Sequence, residues 1–129
     1  MILFRPDGCV LMEERDNNTI NYPGFWNLPS GGCEEGEAPE ITAKRELIEE
    51  ANYRAPSLKF LFTSPQHRPD GQETVRHVFL VGYDPSQRIQ KGGEGKDLRF
   101  IDPAEFSNMK VFQDHVEFVE RARELLQAR

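Results

Sequence analysis

Residues 31–53 of the chain read GGCEEGEAPEITAKRELIEEANY. The segment 29–37 is rich in glycine and glutamate and predicts a loop. A helix is predicted over 39–51, because Pro39 suits the first helical turn and apolar residues recur at helical spacing at Ile41, Ala43, Leu47, Ile48 and Ala51. Asn52 predicts the end of this helix, since asparagine tolerates a positive φ better than any residue except glycine.

The predicted helix carries three glutamates on one face. Glu46, Glu49 and Glu50 are spaced i, i+3 and i+4, so their carboxylates project together. Like charges at this spacing repel by roughly 0.2–0.5 kcal/mol per exposed pair unless a cation lies between them. Three carboxylates suit a hard cation such as Mg²⁺ or Mn²⁺. The alternative is a solvated charged face, because Lys44 and Arg45 belong to the same helix.

The preceding loop favours the metal site over the solvated face. Gly31, Gly32 and Gly36 permit tight turns and a close approach of the backbone to a ligand. Glu37 lies eight residues before Arg45 and can pair with it across the junction of loop and helix. A loop that an ion pair fixes beside a carboxylate face is typical of a rigid catalytic site.

These residues resemble the signature of the Nudix (MutT-like) hydrolases. That signature is a Gly, five residues, a Glu, seven residues and then Arg-Glu-aliphatic-any-Glu-Glu-any-Gly-aliphatic. The chain supplies Gly31, Glu37 and the run Arg45 to Glu50 at this spacing, and it departs at Asn52 and Tyr53. Asparagine also accepts the left-handed conformation, so the first departure is expected to cost little. The Tyr53 ring is expected to be buried.

The resemblance implies a fold, a cofactor and a set of roles. The fold is an α/β/α sandwich with a central mixed β-sheet. Glu46, Glu49 and Glu50 would bind one or more Mg²⁺ ions, with the backbone carbonyl of Gly31 as a further ligand, and Glu37 and Arg45 would form a supporting ion pair. The reaction would be hydrolysis of a nucleoside diphosphate linked to another group.

The general base of that reaction has three candidates. Glu94 resembles a loop glutamate that some relatives bring over the metal, as a base or an additional ligand. Glu46 and Glu49 are the other two candidates. A solvated loop charge is the alternative interpretation of Glu94, because it stands among glycines.

The preferred reaction is the cleavage of a nucleoside triphosphate into a monophosphate and pyrophosphate, because the chain is compact. A nucleotide sugar or ADP-ribose is the alternative substrate. A nucleotide-binding regulator with little catalytic activity is the alternative from another functional class. It is motivated by Asn52 and by Ser30, which stands where many members of the family have glycine.

Composition limits the remaining possibilities. The 129 residues suit a single domain over 1–129, and 16 basic against 22 acidic residues give a net charge of −6, which disfavours a nucleic-acid polymer as partner. The partner is therefore expected to be a small nucleotide, bound by a monomer or a homodimer. No apolar run suits a signal peptide or a membrane span, and Cys9 and Cys33 are expected to be thiols, so a cytoplasmic location is predicted.

Further elements flank the signature. A hairpin of two strands is predicted over 1–12, and a loop over 64–72. Other strands are predicted over 58–63, 74–81 and 98–101. A closing helix over 111–127 places Phe112, Val116, Val119, Ala122 and Leu126 on one side. These elements predict a mixed sheet covered on both faces by helices.

A few residues outside the signature are candidates for contact with a nucleobase. Tyr22, Phe25 and Trp26 could stack on a base, although a core position is the alternative for Trp26. His77 lies on a predicted strand and is expected to be a buried histidine.

Overall fold

The computed structural model describes residues 1–15, 24–67, 70–92 and 97–128. Within these ranges the chain forms strands β1 (Ile2–Leu3), β2 (Val10–Glu14) and β3 (Trp26–Asn27), then helix α1 (Pro39–Ala51). Strands β4 (Leu58–His67), β5 (Glu73–Val81) and β6 (Asp97–Ile101) follow. A 3-10 helix (Pro103–Asn108) and helix α2 (Gln113–Gln127) complete the fold.

The strands divide between two sheets. One is mixed, in the order β1-β5-β4, with β1 parallel and β4 antiparallel to β5. The other is antiparallel, in the order β3-β2-β6. Strand β1 pairs with β5 only at Leu80 and Val81, which leaves the earlier part of β5 beside the cleft described below.

Two hydrophobic clusters show that helices cover opposite faces of the strands. Side chains alternate along a strand, so Ile2 packs in a cluster with Val119 of α2, whereas its neighbour Leu3 packs with Leu47 of α1. Tyr53 is fully buried in the α1 cluster, as expected. The predicted α/β/α sandwich with a mixed sheet is confirmed.

The predicted hairpin at the start of the chain is wrong in its pairing. A turn does connect the two strands, with the Arg5 amide donating to the Cys9 carbonyl. However, the strands meet only at a bridge between Phe4 and Val10 and then enter different sheets. The predicted loop over 64–72 is also too long, because β4 continues to His67 and pairs with β5 along that length.

Helix α1 has the predicted bounds, and Asn52 ends it in the left-handed conformation with φ of 52°. The predicted apolar stripe is wrong in part, since Ile41 and Ile48 are 54% and 40% exposed. The helix instead buries Thr42, Ala43, Leu47 and Ala51. Small side chains at two of these positions allow the helix to lie close to the strands.

Helix α2 begins at Gln113, two residues later than predicted. Its buried side includes Phe118, Val119 and Ala122, whereas Leu126 is exposed. None of the helices in the described ranges is long and apolar enough to span a bilayer.

Candidate active site

A cleft of about 710 Å³ lies between the two helices and along β5. The loop 30–33 and the first turns of α1 line one side, including the Glu46 side chain. His115 and Phe118 of α2 line the other side, and residues 74–79 of β5 lie between them. A volume of this size is typical of sites that bind small molecules and cofactors.

The Glu37–Arg45 ion pair expected from the sequence is present at the junction of loop and helix. Arg45 Nε donates to Glu37 Oε2 at 2.9 Å and Nη2 donates to Oε1 at 2.9 Å, which makes the pair bidentate. Glu37 also accepts from the Thr42 hydroxyl at 2.7 Å and from the Glu34 amide at 3.1 Å. These hydrogen bonds, above all those from Arg45, lower the pKa of Glu37 to about 2.

Arg45 also contacts two of the three glutamates on the helix face. Its Nη1 donates to Glu46 at 3.0 Å and to Glu49 at 3.3 Å. The Glu46 side chain is 14% exposed, that of Glu49 is 55% exposed, and Glu50 is half-buried. A guanidinium therefore offsets the repulsion between Glu46 and Glu49 that the spacing predicts.

Gly31 has a steric role beside Glu46. A Cβ atom at position 31 would overlap the carboxylate group of Glu46, whereas a Cβ atom at Gly32 would meet nothing within 4 Å. Gly31 is not among the described glycines with positive φ. The sequence predicts that the glycines let the backbone approach a ligand closely. In the structure, the group that the Gly31 backbone approaches is the Glu46 carboxylate.

The donor set at this end suits a hard divalent cation. Carboxylate and carbonyl oxygens are the ligands that Mg²⁺ prefers, and the missing side chain of Gly31 lets the Glu46 carboxylate lie against the backbone of the loop. In the arrangement described for residues 1–15, 24–67, 70–92 and 97–128, no three His, Cys, Asp or Glu side chains converge as a metal site. Arg45 instead holds Glu46 and Glu49. Gly31 and Glu46 line the cleft, and Glu37 and Glu49 are joined to Glu46 through Arg45. We call these five residues the carboxylate end of the cleft.

Glu94 lies outside the described residues. Gly92, just before Glu94, is among the described residues. Its amide donates to the Glu50 carbonyl at 2.7 Å. A Cβ atom at position 92 would overlap the Glu49 carbonyl oxygen. The segment that leads to Glu94 is therefore attached to the last turn of α1.

The opposite side of the cleft contains residues that sequence reasoning missed. His115 Nδ1 accepts a hydrogen bond from the Leu28 amide at 3.0 Å, and burial lowers the pKa of His115 to about 4. Arg76 Nη1 donates to Asp114 at 2.6 Å, and its guanidinium lies 4.9 Å from the centre of the Phe118 ring. We call Leu28, Arg76, Asp114, His115 and Phe118 the histidine end of the cleft.

A sequence signal for the histidine end exists in α2. His115, Phe118, Val119 and Ala122 follow the spacing i, i+3, i+4 and i+7, which places the histidine on the buried side of the helix. The contacts themselves could not be predicted, since Leu28 and His115 are 87 residues apart.

The residues singled out outside the signature have different outcomes. His77 is exposed within the cleft, so the expectation of a buried histidine is wrong. Trp26 is half-buried against the α2 cluster, in agreement with the core interpretation. Phe25 packs on Phe112 with ring centres 5.1 Å apart. Tyr22 lies outside the described residues.

The chain is similar to known proteins over most of its length. The model of the NUDIX domain matches residues 1–122. The uncharacterized Nudix hydrolase PA4841 of Pseudomonas aeruginosa is 32% identical over 108 residues, which cover 80% of this chain and 60% of that protein. The RNA pyrophosphohydrolase of Caulobacter vibrioides is 44% identical over 50 residues, which cover 39% of this chain and 28% of that protein.

A solved structure agrees with these matches. The NUDIX domain of Shewanella oneidensis NrtR, in complex with ADP ribose, aligns with a TM-score of 0.77 and 26% identity over 97% of this chain and 82% of that chain. The chain spans less than two thirds of the length of either curated relative described above. Because the family model extends over most of the chain, and Gly31 and Glu46 of the signature line the cleft, the chain belongs to the Nudix family.

Proposed function

We propose that the chain is a Mg²⁺-dependent pyrophosphohydrolase that acts on a nucleoside diphosphate linked to another group. The observation that carries this proposal is the carboxylate end, where a bidentate ion pair fixes the loop of Gly31 against the Glu46 carboxylate inside a cleft of about 710 Å³. The name of the Caulobacter relative, an RNA pyrophosphohydrolase, supports the reaction class.

The residues that would hold the metal are Glu46, Glu49 and Glu50, with the Gly31 carbonyl as a further ligand; Mn²⁺ would be a substitute for Mg²⁺. A bound divalent cation neutralises phosphate oxygens and lowers the pKa of a coordinated water. Glu37 keeps the Arg45 guanidinium in place through two hydrogen bonds, and Arg45 in turn orients Glu46 and Glu49. Rigid support of this kind places reacting groups at a productive distance.

A carboxylate must accept the proton that the attacking water loses. Glu94 is the first candidate, and its loop starts on the last turn of α1, next to Glu49 and Glu50. Glu46 and Glu49 are the alternatives. Replacement of each by glutamine separates them, since loss of the base should abolish the rise of kcat with pH that deprotonation of that carboxyl group produces.

A nucleoside triphosphate is the first candidate substrate, with a monophosphate and pyrophosphate as products. ADP-ribose or a nucleotide sugar is the second, and the complex of the Shewanella NUDIX domain with ADP ribose favours it. A nucleotide-binding protein with weak catalytic activity is the third. Release of pyrophosphate from a panel of triphosphates supports the first candidate, whereas release of a sugar phosphate supports the second.

The decisive test compares Glu50→Gln with Glu40→Gln in the presence of Mg²⁺. Loss of a metal ligand should reduce kcat at least about 100-fold, in line with changes around metal sites. Glu40 is exposed in the first turn of the same helix and is the matched control. Turnover that persists in the Glu50 variant, or in protein dialysed free of divalent cations, would overturn the proposal.

A further inference from the structure

His115 has one ring nitrogen already in use. Its Nδ1 accepts from the Leu28 amide at 3.0 Å. A neutral imidazole carries one proton, so the nitrogen that accepts is unprotonated and the proton belongs to Nε2. The backbone that follows β3 thereby selects the tautomer in which Nε2 is a donor.

The ring of His115 is also held in position. It packs against Phe118, with ring centres 5.7 Å apart and planes inclined by 30°, and against Phe112 at 5.6 Å. Burial disfavours the charged form, which lowers the pKa of this histidine to about 4. At neutral pH the residue is therefore an uncharged donor of fixed orientation on the wall of the cleft.

The surroundings of His115 suit an uncharged group more than a phosphate. Two cationic groups act on His115, and both already have partners. Arg76 is paired with Asp114 at 2.6 Å and covers the Phe118 ring, and the Met1 ammonium, which also lines the cleft, donates to the Pro29 carbonyl at 2.9 Å. Asp114 therefore offsets the Arg76 charge. The groups suited to phosphate and metal lie at the carboxylate end of the same cleft, where Glu46 is found.

We propose that His115 is a specificity-determining residue, which donates a hydrogen bond from Nε2 to an acceptor on the nucleobase of the substrate. The acceptor is a carbonyl oxygen or an unprotonated ring nitrogen. This inference rests on the proposed function, because it assigns the uncharged part of a nucleotide to the histidine end while the phosphates occupy the carboxylate end. A site that offers a hydrogen-bond donor discriminates against a base that has another donor, or a C–H group, at the position of the acceptor.

The test measures kcat/KM for the four common ribonucleoside triphosphates with the wild type, His115→Phe and His115→Gln. These substrates share their sugar and phosphates, so the ratio of their kcat/KM values isolates base recognition.

Loss of one buried hydrogen bond should reduce the ratio of kcat/KM between the best and the worst base about tenfold in the phenylalanine variant. The glutamine variant should restore part of the ratio, because its amide can accept from Leu28 and donate into the cleft. An equal loss on all four substrates would overturn the proposal, since a purely structural role predicts that result. If the chain instead prefers nucleoside diphosphate sugars, the same ratio is taken among their bases.

A second measurement does not depend on turnover. Nitrogen NMR of the imidazole rings, with one nucleotide at saturation and divalent cations removed, reports the protonation of each nitrogen. The chain has three histidines, and the His115→Gln spectrum assigns the relevant signal. We expect a protonated Nε2 whose resonance moves when the preferred nucleotide binds; an Nε2 signal that stays in place at saturation would refute the assignment. Absence of hydrolysis by the wild type would instead reject the proposed function, and the NMR result would then decide on His115 alone.

Discussion

The two ends of the cleft are built in different ways. The carboxylate end comes from residues 31–49, a single loop and helix, and its contacts join charged groups. The histidine end joins residues as far apart as Leu28 and His115, and its histidine is neutral. A local sequence pattern can therefore specify the first end, whereas only the packing of α2 against the strands creates the second.

This difference also separates two functional demands. Phosphate and metal chemistry requires several charges at fixed spacing, which one helix and its preceding loop can supply. Recognition of an uncharged group requires single hydrogen-bond donors or acceptors on a largely apolar surface, and any element that borders the cleft can supply them. The variants below test whether the two ends can be changed independently.

The largest effect is expected for Gly31→Ala. Its Cβ atom would overlap the Glu46 carboxylate, so either the loop or Glu46 must move. A displacement of about 1 Å at a catalytic group can reduce activity about 100-fold, and we expect a loss of kcat of that size. The preference among bases, measured as a ratio of kcat/KM values, should persist.

The control for this variant is Gly32→Ala. A Cβ atom at this neighbouring position meets nothing within 4 Å, so activity should stay close to that of the wild type. Equal losses in the two alanine variants would mean that the loop needs glycine for its flexibility, and not for the contact with Glu46.

A smaller effect is expected for Arg45→Lys. Lysine keeps the positive charge but cannot form the two parallel hydrogen bonds to Glu37. Loss of such outer support around metal ligands reduces activity about tenfold or more, which kinetic assays would measure. Arg5→Lys is the control, because Arg5 Nε and Nη2 donate to the two carboxylate oxygens of the exposed Asp7 and so form a comparable bidentate pair. If lysine at position 45 supports full activity, the bidentate geometry has no role in catalysis.

The smallest effect concerns the decrease of the free energy of unfolding at low pH. The contributions of the two ends of the cleft are expected in different pH ranges. His115 has a folded pKa of about 4, below its usual 6.5. Between these values the unfolded state binds more protons, so the free energy of unfolding falls as pH decreases from 6.5 to 4. The slope for one proton is at most about 1.4 kcal/mol per pH unit.

Glu37 acts in a lower window. Its folded pKa of about 2 lies below the usual 4.5, so its stabilisation is present above pH 4.5 and is lost as pH falls towards 2. Denaturant unfolding at a series of pH values should show both declines. His115→Phe should remove the upper decline and Glu37→Gln should weaken the lower one. An upper decline that persists in the His115→Phe variant would contradict the assignment to His115.

Much of the carboxylate end could be predicted from the sequence. The bounds of α1 depend on local geometry at Pro39 and Asn52, and the ion pair depends on the spacing of Glu37 and Arg45. Both features could therefore be predicted from the sequence. The contact between Gly31 and Glu46 was predicted only as an approach to an unspecified ligand. The metal and catalytic roles of these residues, including Glu94, stay predictions.

The errors arise where tertiary packing decides. The turn after Phe4 predicts a hairpin, but pairing with β5 draws β1 into another sheet. His77 and Val75 alternate with Arg76 on β5, and alternation alone does not tell which side of a strand meets a core and which meets a cleft. Ile48 fits a helical stripe, although α1 approaches the strands through its smaller residues.

Gly92 has a consequence for protein engineering. Its backbone sits on the final turn of α1, and Asp97 pairs with Glu14 in the second sheet, so both junctions of the intervening segment are anchored. Residues 93–96 can therefore be replaced as one segment by the corresponding residues of a relative, with Gly92 kept constant. Such chimaeras would transplant the Glu94 segment onto an otherwise unaltered scaffold.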